Sequence, residues 1–276
     1  MRPQHADDAM ATAPVVPAVR LRSVWVRYGP TVAVRDVDLT IARGTTTAII
    51  GPNGSGKSTL LNTLSGLIRP THGVVEVLGA PAARGSRRVA HVLQTTVANE
   101  SVPLTVRETV RMGAYGRRGV LGRLTAGDRR AIDEAIDRMR IGDLVDRQLQ
   151  ELSGGQRQRV YVAQGLAQRA ELLLLDEPIT GLDLVTQETI TATIADERAA
   201  GRSVVLTTHD VGTAHLADQA VLMATEVVAA GPPRVSLVPE HLATAYGGHV
   251  HLLDDGTVVL DEPHHHDHRY DDQLRG

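Results

Sequence analysis

Apolar and polar residues alternate over 19–28 and again over 32–41, the period of a strand with one buried face. Gly29-Pro30 between them marks a turn. A short apolar stretch over 45–50 runs into a glycine-rich loop, and Leu60, Leu61, Leu64 and Leu67 then fall at helical spacing. Pro70 and Gly73 end that helix, and 74–78 and 89–93 predict further strands. From about 101 to 170 the pattern is helical, with Ile132, Ala135, Ile136 and Met139 on one apolar face and Asp and Arg on the other. The runs 172–175 and 204–208 show no strict alternation, as expected of strands buried on both faces in a parallel sheet. A helical stretch over about 185–200 joins them into a β-α-β unit.

The texture changes after Gly231-Pro232-Pro233. A short helix is expected around 238–246. A hairpin follows, with strands 249–253 and 257–261 around the turn Asp254-Asp255-Gly256. Residues 1–18 are rich in Ala and Pro without periodicity, and 263–276 hold little apolar material, so both predict disorder. The expected organisation is a lead-in over 1–18, a main unit over 19–235 with a helical insertion at about 95–165, an extension over 236–262 and a tail over 263–276. No internal repeat is present.

Composition narrows the classes. No apolar run approaches the roughly 18–20 residues that span a membrane. The N-terminus lacks a basic stretch followed by an apolar one, so no secretory signal is predicted. The expectation is an intracellular protein that meets a membrane only through partners. Acidic residues outnumber basic ones, 32 to 29, which argues against a nucleic-acid binder. Without Cys there is no disulfide, thiolate zinc site or Cys nucleophile. Without Phe, the core must be built from Val, Leu, Ile and Ala.

Gly51-Pro52-Asn53-Gly54-Ser55-Gly56-Lys57-Ser58-Thr59 has the G-x-x-x-x-G-K-[ST] pattern between a predicted strand and a predicted helix. Gly54 and Gly56 let backbone N–H groups approach phosphate oxygens, and the helix N-terminus adds partial positive charge there. Lys57 reaches the terminal phosphates and the Ser58 hydroxyl can ligate Mg²⁺. Lys57 is the sole lysine beside 28 arginines. A point charge on a slim stem fits a closed loop where a planar fork does not. Leu172-Leu173-Leu174-Leu175-Asp176-Glu177-Pro178 is an apolar strand ending in two carboxylates. Asp176 would hold Mg²⁺ directly or through water, and Glu177 would polarise the attacking water. Leu152-Ser153-Gly154-Gly155-Gln156 resembles a helix cap whose N-terminus can grip anionic oxygens.

Together these residues resemble the ATP-binding subunit of ABC transporters over about 19–235. In that family the sequence at 152–156 is the signature. Gln94, after a strand, matches the family's glutamine loop, and Gly181-Leu182-Asp183 its aspartate loop. His209 in Thr207-Thr208-His209-Asp210 matches the switch histidine, and Tyr28 the adenine-stacking aromatic. Each of Gln94, His209 and Tyr28 alone reads as an ordinary structural residue; the order of the series gives them roles. The resemblance implies an α/β fold. Its mostly parallel P-loop ATPase core has flanking helices, an N-terminal antiparallel β subdomain and an inserted helical subdomain. It implies ATP and Mg²⁺ as cofactors, with Ser58, Gln94 and Asp176 around the Mg²⁺. It also implies a head-to-tail homodimer in which Ser153, Gly154, Gly155, Gln156 and Asp183 of one chain complete the ATP site of the other. Separate transmembrane permease subunits, docking near 95–110, and an extracytoplasmic solute-binding protein complete the implied system. The chain itself would sit on the cytoplasmic face of the cell membrane.

The cargo is read from weaker features. Seven of the 12 histidines follow residue 240, and His264, His265, His266 and His268 could bind Zn²⁺, with a solvated tail as the equal alternative. His249 and His251, two apart on a strand, share a face and are more simply structural. Met112-Gly113, the charged 128–139 helix and the Pro-Glu-x-Leu…Tyr-Gly stretch at 239–247 look like zinc- and manganese-type importer ATPases. Siderophore importer ATPases share much of that pattern, and no catalytic motif distinguishes import from export. Too few residues separate Gln94 from Ser153 for the coiled coil of a DNA-repair ATPase, and a second cassette, usual in translation-linked members, is absent.

Overall fold

The four-leucine run at 172–175 is an interior strand of a six-stranded sheet, and its neighbours explain why it does not alternate. The computed structural model describes residues 16–83, 86–93, 103–118, 123–247, 250–252 and 258–260. Five strands run parallel: β3 (Thr46–Ile50), β6 (Val89–Val92), β7 (Leu172–Leu175), β8 (Ser203–Thr208) and β9 (Gln219–Ala224). With the antiparallel edge strand β10 (Glu226–Gly231), the order is β10-β9-β3-β8-β7-β6. Successive side chains point to opposite faces, and both faces are covered. Ala48, Ile50, Leu173, Leu175, Val204 and Leu206 enter one apolar cluster, while Ile49, Leu172, Leu174 and Val205 enter the other.

The second cluster is closed by α1 (Lys57–Leu64) and by an antiparallel sheet of β1 (Val19–Tyr28), β2 (Thr31–Ile41), β4 (His72–Val77) and the short β5 (Ala80–Pro81), ordered β2-β1-β4-β5. The first is closed by helices: α2 (Val106–Arg118), α3 (Ala126–Arg138), α4 (Gly154–Ala167), α5 (Leu184–Ala199) and α6 (Val211–His215). The short α7 (Pro233–Ser236) leads to α8 (Pro239–Tyr246), whose Leu242, Ala245 and Tyr246 join the same cluster. β11 (Val250–Leu252) and β12 (Val258–Leu260) pair as the expected hairpin; its turn lies outside the described residues.

Differences from the sequence reading have local causes. The helix after the glycine loop ends at Leu64, because Gly66 takes a left-handed φ of 73°. Leu67 is therefore not on that helix and is exposed. The strands β9 and β10 were not anticipated. Yet Ala220-Val221-Leu222-Met223 is wholly buried and carries the same doubly covered signature as Leu172–Leu175. Ala18 already joins the antiparallel sheet, donating to the Ile41 carbonyl oxygen at 2.9 Å.

α2 and α4 cross at Gly113, where a Cβ would collide with the Gln164 carbonyl oxygen. Gly113→Ala is therefore expected to lower stability by about 1–3 kcal/mol, the usual cost of overpacking. Urea unfolding checks this, with nucleotide affinity unchanged.

His91 on β6 has both ring nitrogens buried and, among the described residues, without hydrogen-bond partners. Burial pushes its pKa down, against the attraction of Asp176. His91→Leu is expected to gain about 1–3 kcal/mol by removing the unsatisfied groups. The parent should also show a pH slope that the variant lacks. Unfolded His91 takes up a proton below about pH 6.5 while the folded side chain resists it. Stability therefore falls as pH drops below that value, until the folded pKa is reached. Thermal melts of both proteins from about pH 7.5 to about pH 5, on either side of the ordinary histidine pKa, would check the slope.

Candidate active site

Three neighbouring parallel strands, β3, β8 and β7, deliver their C-terminal ends to one place. Such ends are where open α/β sheets place ligands. β3 supplies the glycine loop, β7 supplies Asp176 and Glu177, and β8 supplies Thr207 and leads to His209.

The loop closes tightly because Gly56 caps α1 with φ 94°, and a side chain there would strike the Ala33 carbonyl oxygen. Only glycine meets both demands. Lys57 is 5% exposed, and its Nζ donates to the carbonyl oxygens of Gly51 (2.7 Å) and Pro52 (3.0 Å). Its charge is thus held inside the loop at the N-terminus of α1.

Asp176 is buried behind the loop. Its Oδ1 accepts from the Ser58 hydroxyl at 3.0 Å and the Thr207 hydroxyl at 2.6 Å. The Thr207 Oγ1 in turn accepts from the Glu177 N–H at 2.8 Å, so one hydroxyl aligns both carboxylate residues. Glu177 has φ 45°, a left-handed conformation that costs a non-glycine residue about 1–3 kcal/mol. The strained turn leaves its side chain 12% exposed, with Oε2 3.9 Å from His209 Nδ1. His209 is 42% exposed.

Asn53, Gly54, Ser55, Gly56, Lys57, Ser58, Thr59, Glu177 and His209 thus line one cleft of about 440 Å³, together with Ala33 and Thr180. Sequence reading missed Ala33 and Thr180 in the lining of the cleft, and Thr207 as the partner of Asp176. Thr207 is a fully buried hydroxyl near the end of β8, and nothing in its own stretch of sequence marks its contact with Asp176.

Other expected site residues stand elsewhere. Tyr28, at the end of β1, is half exposed and does not line the cleft. Ser153 caps α4 as the sequence suggested. Its Oγ accepts from the Gln156 N–H at 3.3 Å, and Gln156 Oε1 accepts from the Ser153 N–H at 3.0 Å. This end of α4 faces α5 rather than the cleft: a Cβ at Gly155 would lie 3.1 Å from Asp183 Oδ2. Asp183 caps α5, and hydrogen bonds from the Thr186 N–H and hydroxyl hold its carboxyl below the usual range. Gln94 and His264, His265, His266 and His268 lie outside the described residues. Among the described residues, no group of three or more His, Asp or Glu could hold a metal ion, and no helix is long and apolar enough to cross a membrane.

A Gly-Lys-Ser loop, a buried aspartate on its serine and a glutamate over the cleft define a P-loop nucleotide-hydrolysing ATPase. The family model described as the ABC transporter matches residues 34–180. The zinc transport system ATP-binding protein TroB of Treponema pallidum is 37% identical over 234 residues, covering 84% of this chain and 88% of that protein. The manganese transport system ATP-binding protein MntB of Bacillus subtilis is 34% identical over 247 residues, covering 89% and 98%. A dimeric ATP-binding cassette solved in a post-hydrolysis state with ADP and Pi superimposes with a TM-score of 0.69 at 28% identity, covering 78% of this chain and 99% of that one. This chain belongs to the ABC transporter family, as an ATPase cassette that binds and hydrolyses ATP.

Proposed function

We propose that the chain energises the import of a transition-metal ion, zinc or manganese, across the cytoplasmic membrane, working on its inner face through permease subunits. Relatives covering most of the chain carry zinc and manganese transport in their names. A solute-binding protein that delivers the metal outside the membrane completes this reading.

The observation that carries the mechanism is the separation of the signature from the phosphate cleft within one chain. A head-to-tail pair brings Ser153, Gly154, Gly155 and Gln156 of one chain over ATP held by its partner, beside Asp183. In each half-site the loop amides of 51–59 cradle the phosphates and Lys57 neutralises them. Tyr28, exposed at the end of β1 and outside the phosphate cleft, stacks on adenine. The hydroxyl of Ser58 and the carboxylate of Asp176, 3.0 Å apart, are hard oxygen donors that suit Mg²⁺, with Gln94 as a third. The ion, when bound, offsets charge on the phosphate oxygens. Glu177 accepts the proton of the attacking water, and His209 orients the γ-phosphate end of the cleft. Closure of the pair assembles this arrangement, and product release reopens it.

Reconstitution with the cognate permeases tests the cargo. ATP-dependent accumulation of zinc or manganese in vesicles is expected; transport of a chelated iron complex alone would overturn it. The tail at 263–276 is proposed to sense the cytosolic ion. Its deletion is expected to abolish the response of ATPase activity to added zinc, and an unchanged response would remove that role.

A further inference from the structure

The helix that begins at Asp183 touches the helical unit at both of its ends. At its N-terminus, Asp183 Oδ2 and Thr186 Oγ1 would lie 3.1 and 3.3 Å from a Cβ at Gly155, the signature position on α4. At its C-terminal end, Glu197 is 3% exposed and held between two arginines. Arg138, the last residue of α3, places Nη1 2.5 Å from Glu197 Oε1, and its Nη2 donates to the Thr193 carbonyl oxygen at 3.2 Å. Arg202 donates from Nη2 to Oε1 at 2.8 Å, and its Nε lies 2.5 Å from Oε2. The backbone N–H of Arg202 returns to the Glu197 carbonyl oxygen at 3.0 Å. Asp196 adds a looser contact, 3.6 Å from Arg138 Nη2.

We infer that α5 is a strut and that Glu197 is a positioning residue for the signature. The Arg138–Glu197–Arg202 triad, its carboxylate buried and its arginines partly exposed, and the close approach of Gly155 to Asp183 and Thr186 sit at opposite ends of α5. Its 16 residues span about 24 Å. Apolar packing of α4 against β6 and β7 seats the helical unit on the sheet, and directional polar contacts add to its orientation what apolar packing leaves loose. Two contacts that far apart fix its orientation on the sheet, and so fix where Ser153 and Gly155 stand when a second chain approaches. A buried carboxylate held by two arginines suits this task better than apolar packing, because charge-assisted hydrogen bonds fix direction as well as distance. It contributes orientation more than net stability, since a well-packed apolar replacement of such a triad is often neutral or stabilising.

The inference rests on the head-to-tail pairing proposed above. The test uses the full chain carrying Glu177→Gln, in which ATP should drive pairing without turnover. The triple change Arg138→Met, Glu197→Leu, Arg202→Met is added to remove the triad without leaving a lone buried charge. ATP-driven dimerisation is followed by light scattering against protein concentration, beside the affinity of the monomer for nucleotide. The expected result is a folded protein with unchanged nucleotide affinity and a dimerisation midpoint shifted to roughly tenfold higher protein concentration, which corresponds to about 1.4 kcal/mol. Arg138→Lys keeps the charge and loses the fork; at a residue 29% exposed it serves the same comparison should the triple variant not fold. It should shift the midpoint in the same direction. A normal midpoint in a folded variant overturns the strut. Absence of ATP-driven dimers in the Glu177→Gln parent would instead overturn the pairing itself.

Discussion

Glu177→Gln should bind ATP as tightly as the parent, lose turnover by about 10²–10⁴-fold and accumulate as an ATP-bound pair. The magnitude is that of a positioned general base. The substitution keeps shape and volume, and the backbone that places residue 177 is held independently of its side chain. Its N–H donates to Thr207, which is anchored on Asp176. What changes is the capacity to accept a proton, since an amide oxygen is a far weaker base than a carboxylate. His209 stands nearby, with Nδ1 3.9 Å from Glu177 Oε2. Steady-state hydrolysis and light scattering with ATP together check the outcome. Turnover within a few-fold of the parent would remove Glu177 from the base role and turn attention to His209.

Much of this site is legible in the sequence because its chemistry is carried by local strings. The glycine loop needs glycine where φ is positive and lysine at the start of a helix, and both demands leave a contiguous trace. The carboxylate pair follows the one run of four leucines, so strand and site announce each other. Thr207 was hidden for the opposite reason. Its role arises from strand order, which sets β8 between β3 and β7 and so brings a hydroxyl from residue 207 to Asp176. No local string records that adjacency. β9 and β10 escaped because a four-residue apolar run reads equally as a piece of helix until its neighbours are known. The Arg138–Glu197–Arg202 triad was equally silent. Arg and Glu in polar stretches read as solvated, and only the fold brings Arg138 from the end of α3 and Arg202 from the turn before β8 onto Glu197 and buries its carboxylate. The signature shows a third case. Its cap was readable from Ser153 and Gln156 alone, and the fold points that cap away from its own cleft. The sequence motif is complete, while the site it serves requires a second chain under the pairing proposed here.

Lys57→Arg is expected to weaken nucleotide binding by about 10–100-fold, although charge is conserved. Hydrogen bonds to charged groups contribute about 1.5–3 kcal/mol, and that range converts to this loss at 1.4 kcal/mol per decade. The loop supplies the reason. Lys57 Nζ sits against the Gly51 and Pro52 carbonyl oxygens, inside a turn that Gly56 closes against Ala33. A guanidinium is wider than an ammonium and presents its donors in one plane. To fit, it would have to open the turn, and the Ala33 contact resists opening on that side. Elsewhere the chain uses arginine at every basic position, so the exception is not a general preference for lysine. It marks the one place where a cation must be slim and surrounded. Calorimetric titration of ATP into the variant checks the prediction, with circular dichroism to confirm the fold. Parent-like affinity would show that the loop can widen, and would leave the single lysine of this chain without a steric explanation.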